Sequence, residues 1–85
     1  MYYVYIIQSS KTKKFYIGFT DDLKRRYFEH NDGLSIATNY GRPWEILYYE
    51  AYKSQKDARI REKRLKHHGK GKANLIERLK NSISM

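Results

Sequence analysis

Two short aromatic runs, separated by six polar residues and followed by a helical pattern, leave the start of this chain few ways to fold. Residues 2–8 (YYVYIIQ) are dense in aromatic and β-branched side chains, which suit a pleated strand. They are apolar on both faces, with Tyr3, Tyr5 and Ile7 on one and Val4 and Ile6 on the other. Such a strand is covered on both sides. The polar run from Ser9 to Lys14 predicts a hairpin turn, and residues 15–19 (FYIGF) a second strand. With the turn centred near Ser10 and Lys11, the numbers of facing residues sum to about 21, which sets Tyr5 opposite Tyr16 on one face. Gly18 removes a side chain from that face and permits a close approach to the backbone.

The helix that follows has Thr20 or Asp21 as its cap, acidic residues at its positive end, and Gly33 to stop it. Leu23, Tyr27, His30 and Arg26 share one side of it, the two polar residues lying along the edge of the buried stripe. Residues 34–43, with the only proline, read as a loop with a helical turn around Ile36. Trp44 to Tyr52 (WEILYYEAY) predicts a third strand. Ser54 and Asp57 form a capping box for a helix from about Gln55 to His67. Along it Ala58, Glu62 and Leu65 align, so a carboxylate lies on the apolar stripe. His68 to Lys72 (HGKGK) is expected to break the helix, and a last one to run from about Ala73 to Asn81. The order β-β-α-β-α-α predicts an α/β protein of the α+β type, a three-stranded, mainly antiparallel sheet flanked by helices.

Charge bears on the partner. The net charge is +9, and residues 53–85 hold 11 basic and 3 acidic side chains against 7 and 6 in residues 1–52. So lopsided a surface is suited to a polyanion, although a solubilising coat has the same composition. With 85 residues the expectation is one domain over 1–85, and with no cysteine, neither disulfide nor thiolate metal site is available. No apolar run is long enough to span a bilayer and no leader pattern opens the chain, so a cytoplasmic protein is expected.

Phosphodiester hydrolysis needs a cation on the phosphate oxygens, a group to take a proton from water, and stabilisation of the leaving oxygen. Glu62 could ligate a metal, Arg26 could hold phosphate as a fork, and Tyr5, Tyr16 and His30 could handle or orient protons. Each has a structural role open to it as well. A strand tyrosine is usually core, Lys24-Arg25-Arg26 could be a solvated charge run, and Glu62 could pair with Arg59, Lys66 or Arg26.

Taken together, these residues resemble the GIY-YIG nuclease superfamily, which includes the N-terminal nuclease domain of a bacterial excinuclease and phage-type homing endonucleases. Tyr3-Val4-Tyr5 occupies the first motif and Tyr16-Ile17-Gly18 the second. Arg26 and His30 follow at the family's spacing, and Ala58, Glu62 and Leu65 resemble the metal-binding helix. Tyr3 stands where the first motif has glycine. The nearest resemblance is to small single-domain members, through Thr38, Pro43 and Trp44 and through Arg61-Glu62-Lys63.

The resemblance implies hydrolysis of DNA with one divalent ion, Mg²⁺ or alternatively Mn²⁺, on Glu62. Tyr5 with a depressed pKa, or His30, would activate water; Tyr16 would orient water or phosphate; Arg26 would stabilise charge. Gly18 and Asn74 would support the site. The basic third, with Lys63, Lys66, Lys70 and Lys72, would grip phosphates without reading sequence. Weak or structure-directed cutting, or a protein partner that supplies the target, is then expected. A nucleic-acid-binding module without catalysis and a protein-interaction domain that has lost activity are the alternatives.

Overall fold

The computed structural model describes residues 1–67 and 69–83. Strands β1 (Tyr2–Ser9), β2 (Phe15–Thr20) and β3 (Trp44–Tyr52) form one antiparallel sheet in the order β2-β1-β3. Helix α1 (Leu23–Asn31) follows β2, a 3-10 turn spans Ile36–Gly41, and α2 (Gln55–His67) and α3 (Gly69–Arg78) close the order. Among the described residues no helix is long and apolar enough to cross a membrane.

Central β1 is buried on both sides, as its sequence requires. One face, with Val4, Ile6 and Ile17, packs against Ala58 and Leu65 of α2 and Leu75 of α3. The other, with Tyr5 and Ile7, packs against Trp44, Leu23 and Ile46 on the α1 side. Each alternate residue thus feeds a different core, and a slip of one position would exchange them. A bulge on β3 between the Ile6–Tyr48 and Ile7–Ile46 pairs leaves Leu47 unmatched.

The hairpin register differs from the sequence expectation by two residues. Tyr5 pairs with Gly18 and Tyr16 with Ile7. The turn is wider than expected because buried Ser9 organises it. Its Oγ accepts hydrogen bonds from the Lys11 and Thr12 amides at 3.1 and 2.9 Å and donates to the Gly41 carbonyl at 2.6 Å. Lys13 then reverses the chain at φ 65°. A two-residue shift keeps every side chain on its face, so Tyr5 and Tyr16 still share one.

Three helix boundaries also differ. The cap of α1 is Asp22, whose Oδ1 accepts from the Arg25 amide at 3.0 Å, while Thr20 accepts from the Asp22 amide just before the helix. At the other end Gly33, at φ 79°, allows the Leu34 amide to reach the Glu29 carbonyl, closing the helix as expected. Helix α3 runs from Gly69 to Arg78, not from about Ala73 to Asn81, so Gly69 and Gly71 are helical and residues 79–81 form a turn. Packing of α3 through Leu75 on α2 and the sheet, with Leu79 just beyond its end, outweighs the weak helix propensity of the two glycines. His68, also expected in the break, lies outside the described residues.

Helix α1 is less deeply seated than its stripe suggests, since His30 is fully buried whereas Tyr27 is 36% exposed. Its first turns stand off the sheet, leaving a cleft of about 530 Å³ walled by Tyr3, Leu23, Tyr27, Ile46 and Tyr49. Its last residue is tied down, because Asn31 accepts from the Trp44 amide at 2.5 Å and donates to the Trp44 carbonyl at 3.0 Å.

Candidate active site

Edge strand β2 carries a gap that the central strand uses. The Tyr5 ring lies across Gly18, where a Cβ would overlap the Tyr5 hydroxyl and Cζ. Only a residue without a side chain leaves that space. The Tyr5 hydroxyl meets His30 Nε2 at 2.7 Å, and His30 Nδ1 meets the Thr38 hydroxyl at 2.7 Å. A neutral imidazole has one donor and one acceptor nitrogen, so Thr38, His30 and Tyr5 form a continuous hydrogen-bonded line. Tyr16 stands edge-on to the same imidazole, ring centres 5.3 Å apart.

Burial governs the titration of this line. It pushes the Tyr5 hydroxyl up to about 12, against the pull of the Arg26 guanidinium, with Tyr16 and Glu62 adding to the rise. This is opposite to the depressed value expected of Tyr5 as a base. Burial, reinforced by the positive charge of Arg26, lowers His30 to about 4, so its imidazole is neutral at pH 7. At 0% exposure His30 meets no bulk water, which prevents it from acting on a water molecule directly.

Arg26, half-buried, donates to Glu29 at 3.2 Å and Ser35 at 3.3 Å. Burial disfavours its charge, but the bonds to Glu29 and Tyr5 outweigh that and raise its pKa. Glu62 approaches from α2, its side chain 14% exposed, and accepts from Lys66 at 2.9 Å and Arg59 at 3.4 Å. Lys66 also lies 5.9 Å over the Tyr16 ring and Arg59 3.8 Å over that of Phe19. A polar cleft of about 520 Å³ adjoins the group, lined by Arg25, Arg26, Arg59, Glu29, Thr20 and Gln55 among others.

Tyr5, Tyr16 and His30 thus meet directly, with Gly18 making room, and Arg26 acts on the Tyr5 hydroxyl. Glu62 comes to the group from α2 through Lys66, which spans to Tyr16, and its charge is felt at Tyr5. No group of three His, Cys, Asp or Glu side chains among the described residues could hold a metal. The lone Glu62 fits a hard cation that keeps most of its shell as water and phosphate, the habit of Mg²⁺. Of the four lysines, Lys66 meets the constellation; Lys63 and Lys70 are exposed and Lys72 half-buried. Asn74, exposed on α3, lines a different cleft of about 170 Å³ with Arg61 and Arg78.

Two features escaped the sequence reading. Thr38 is fully buried against His30, and its carbonyl accepts from Trp44 Nε1 at 2.7 Å. The Thr38 to Trp44 loop motif was the available signal. Glu50 accepts from Tyr48 at 2.7 Å, from Tyr52 at 2.5 Å, and from both ends of the Arg61 fork at 2.9 Å. Burial alone would raise the Glu50 pKa; hydrogen bonds from Arg61, Tyr52 and Tyr48 hold it below the usual carboxylate range. The spacing of Tyr48, Glu50 and Tyr52 by two on a strand would have placed all three on one face.

The chain matches the GIY-YIG catalytic domain family over residues 1–76. It is 35% identical over 63 residues to a UPF0213 protein of Clostridium perfringens, covering 73% of this chain and 67% of that one. Against a UPF0213 protein of Halobacterium salinarum the identity is 37% over 67 residues, covering 78% and 86%. A UPF0213 protein of Streptococcus pyogenes serotype M5 is 39% identical over 57 residues, covering 66% of this chain, and the match spans only 61% of the streptococcal protein. No solved structure matches the chain.

Proposed function

This chain belongs to the GIY-YIG family of nuclease domains, and from that premise we propose that it hydrolyses phosphodiester bonds in DNA with one divalent ion held by Glu62. The observation that supports this most is the meeting of two phenols, an imidazole, a guanidinium and a carboxylate at one edge of the sheet. A bound Mg²⁺ or Mn²⁺ would supply charge neutralisation at the phosphate oxygens. The remaining work falls to the chain. Arg26 holds the phosphate and stabilises the charge that develops on it.

Tyr5 and His30 act as one unit. A free phenolate with a pKa of about 12 would cost about 7 kcal/mol at pH 7. With Tyr5 1% and His30 0% exposed, neither meets bulk water. The Tyr5 hydroxyl keeps its proton and donates a hydrogen bond of 2.7 Å to His30 Nε2 while Nδ1 donates to Thr38, so the line fixes the geometry of the site beside Tyr16. Tyr16 orients the attacking water or the phosphate. Basic side chains on α2 and α3 hold the backbone without reading bases, so cutting is weak in specificity or directed by structure.

Supercoiled plasmid with Mg²⁺ or Mn²⁺ tests the reading. Nicking is expected from the wild type and not from Glu62→Ala or Arg26→Ala. DNA binding by all three without nicking would identify a binding module instead.

A further inference from the structure

In the free protein both oxygens of Glu62 are already engaged, Oε1 by Arg59 and Oε2 by Lys66. The carboxylate side chain is 14% exposed, whereas Arg59 and Lys66 are 56% and 38% exposed. The two cations can therefore move, and the carboxylate is the fixed partner. While paired with Glu62, Arg59 also lies over the face of Phe19 and Lys66 over Tyr16, so each cation rests at the border between the carboxylate and an aromatic surface. Arg59 also lines the polar cleft with Arg25 and Arg26; Asp21 and Glu29 pair with those two and line it as well, leaving one positive charge in excess, that of Arg59 if its Glu62 pair opens. A divalent ion approaching Glu62 must displace both cations, and among the described residues no cluster of carboxylates or imidazoles helps to hold it.

We propose that Arg59 and Lys66 form a phosphate-operated latch on Glu62: they cover its oxygens in the free protein, and a nucleic-acid phosphate that draws them away opens the carboxylate to a divalent ion. The inference rests on the reading of Glu62 as the metal ligand. Half-exposed ion pairs are weak enough to exchange, and a phosphate can take the guanidinium fork through two oxygens whereas Glu62 gives Arg59 a single contact at 3.4 Å. Ion and nucleic acid then bind with positive coupling, each raising the affinity for the other by the same factor. The consequence is that metal loads where a strand is present.

The test is Mn²⁺ binding followed by the electron paramagnetic resonance of the free ion, with and without a short phosphorothioate oligonucleotide that resists cleavage. The Glu62→Gln protein is titrated in parallel, to subtract ions held by DNA. Without DNA, Arg59→Met/Lys66→Met is expected to bind Mn²⁺ at Glu62 about tenfold more tightly than the wild type, the loss of two competing pairs. With DNA, the wild type gains a Glu62-dependent ion of similar affinity. Equal Mn²⁺ affinity of wild type and variant without DNA overturns the proposal. It is also overturned if Lys63→Met/Arg64→Met, which removes the same charge from exposed sites on α2, tightens Mn²⁺ binding as much. The single variants Arg59→Met and Lys66→Met give the same test if the double variant folds poorly. Plasmid nicking is scored separately, so the latch can fail while cutting persists, or hold where cutting is absent.

Discussion

Acid should destabilise this protein well above the pH at which carboxylates titrate, and His30 is the cause. In the unfolded chain a histidine takes its proton near pH 6.5, whereas buried His30 is lowered to about 4. Between those values the unfolded state binds a proton that the folded state refuses, so stability is complete above about pH 6.5 and declines as pH falls toward 4. From pH 7.5 to pH 5 the loss is about 2 kcal/mol. For a domain of this size that corresponds to a fall in melting temperature of about 10 °C. Stopping at pH 5 keeps Glu50 out of the measurement, since its lowered pKa removes stability only at more acid pH. Urea unfolding followed by far-ultraviolet circular dichroism at the two pH values reads the difference. His30→Gln should be less stable at pH 7.5, because the bonds to Tyr5 and Thr38 are disturbed, but nearly level down to pH 5. An equal drop in wild type and variant would refute the reasoning, because the sensitive proton would then lie elsewhere.

Gly18→Ala should destabilise by about 1–3 kcal/mol, the usual cost of overpacking, because the new methyl group meets the Tyr5 ring. Gly71→Ala, whose methyl group meets nothing within 4 Å in α3, should instead stabilise by about 0.5–1 kcal/mol; urea midpoints of opposite sign check the pair. Glu50→Gln should cost about 1–3 kcal/mol by leaving the Arg61 fork without its charged partner. Adding Arg61→Met should recover part of that loss in a double-mutant cycle.

Much of this protein is legible in its residue order, for a local reason. Strand against helix follows from the spacing of apolar side chains, which is why β3 and α2 have the bounds the sequence implies. The two-sided apolar character of residues 2–8 already requires a central strand. That Tyr5 and Tyr16 share a face also needed no tertiary information, since a register error of two positions leaves side-chain direction unchanged. Tertiary structure decided what depends on distance and on exclusion of water. Ser9 widened the turn by reaching Gly41 across the fold, and so set Tyr5 over Gly18 and not over Tyr16. Packing on α2 drew two glycines into α3 against their own propensity. Burial raised the Tyr5 pKa and lowered that of His30, turning two independent candidate bases into one hydrogen-bonded pair. Periodicity tells which way a side chain points, but only the assembled core fixes how much water reaches it, and that sets which proton can move.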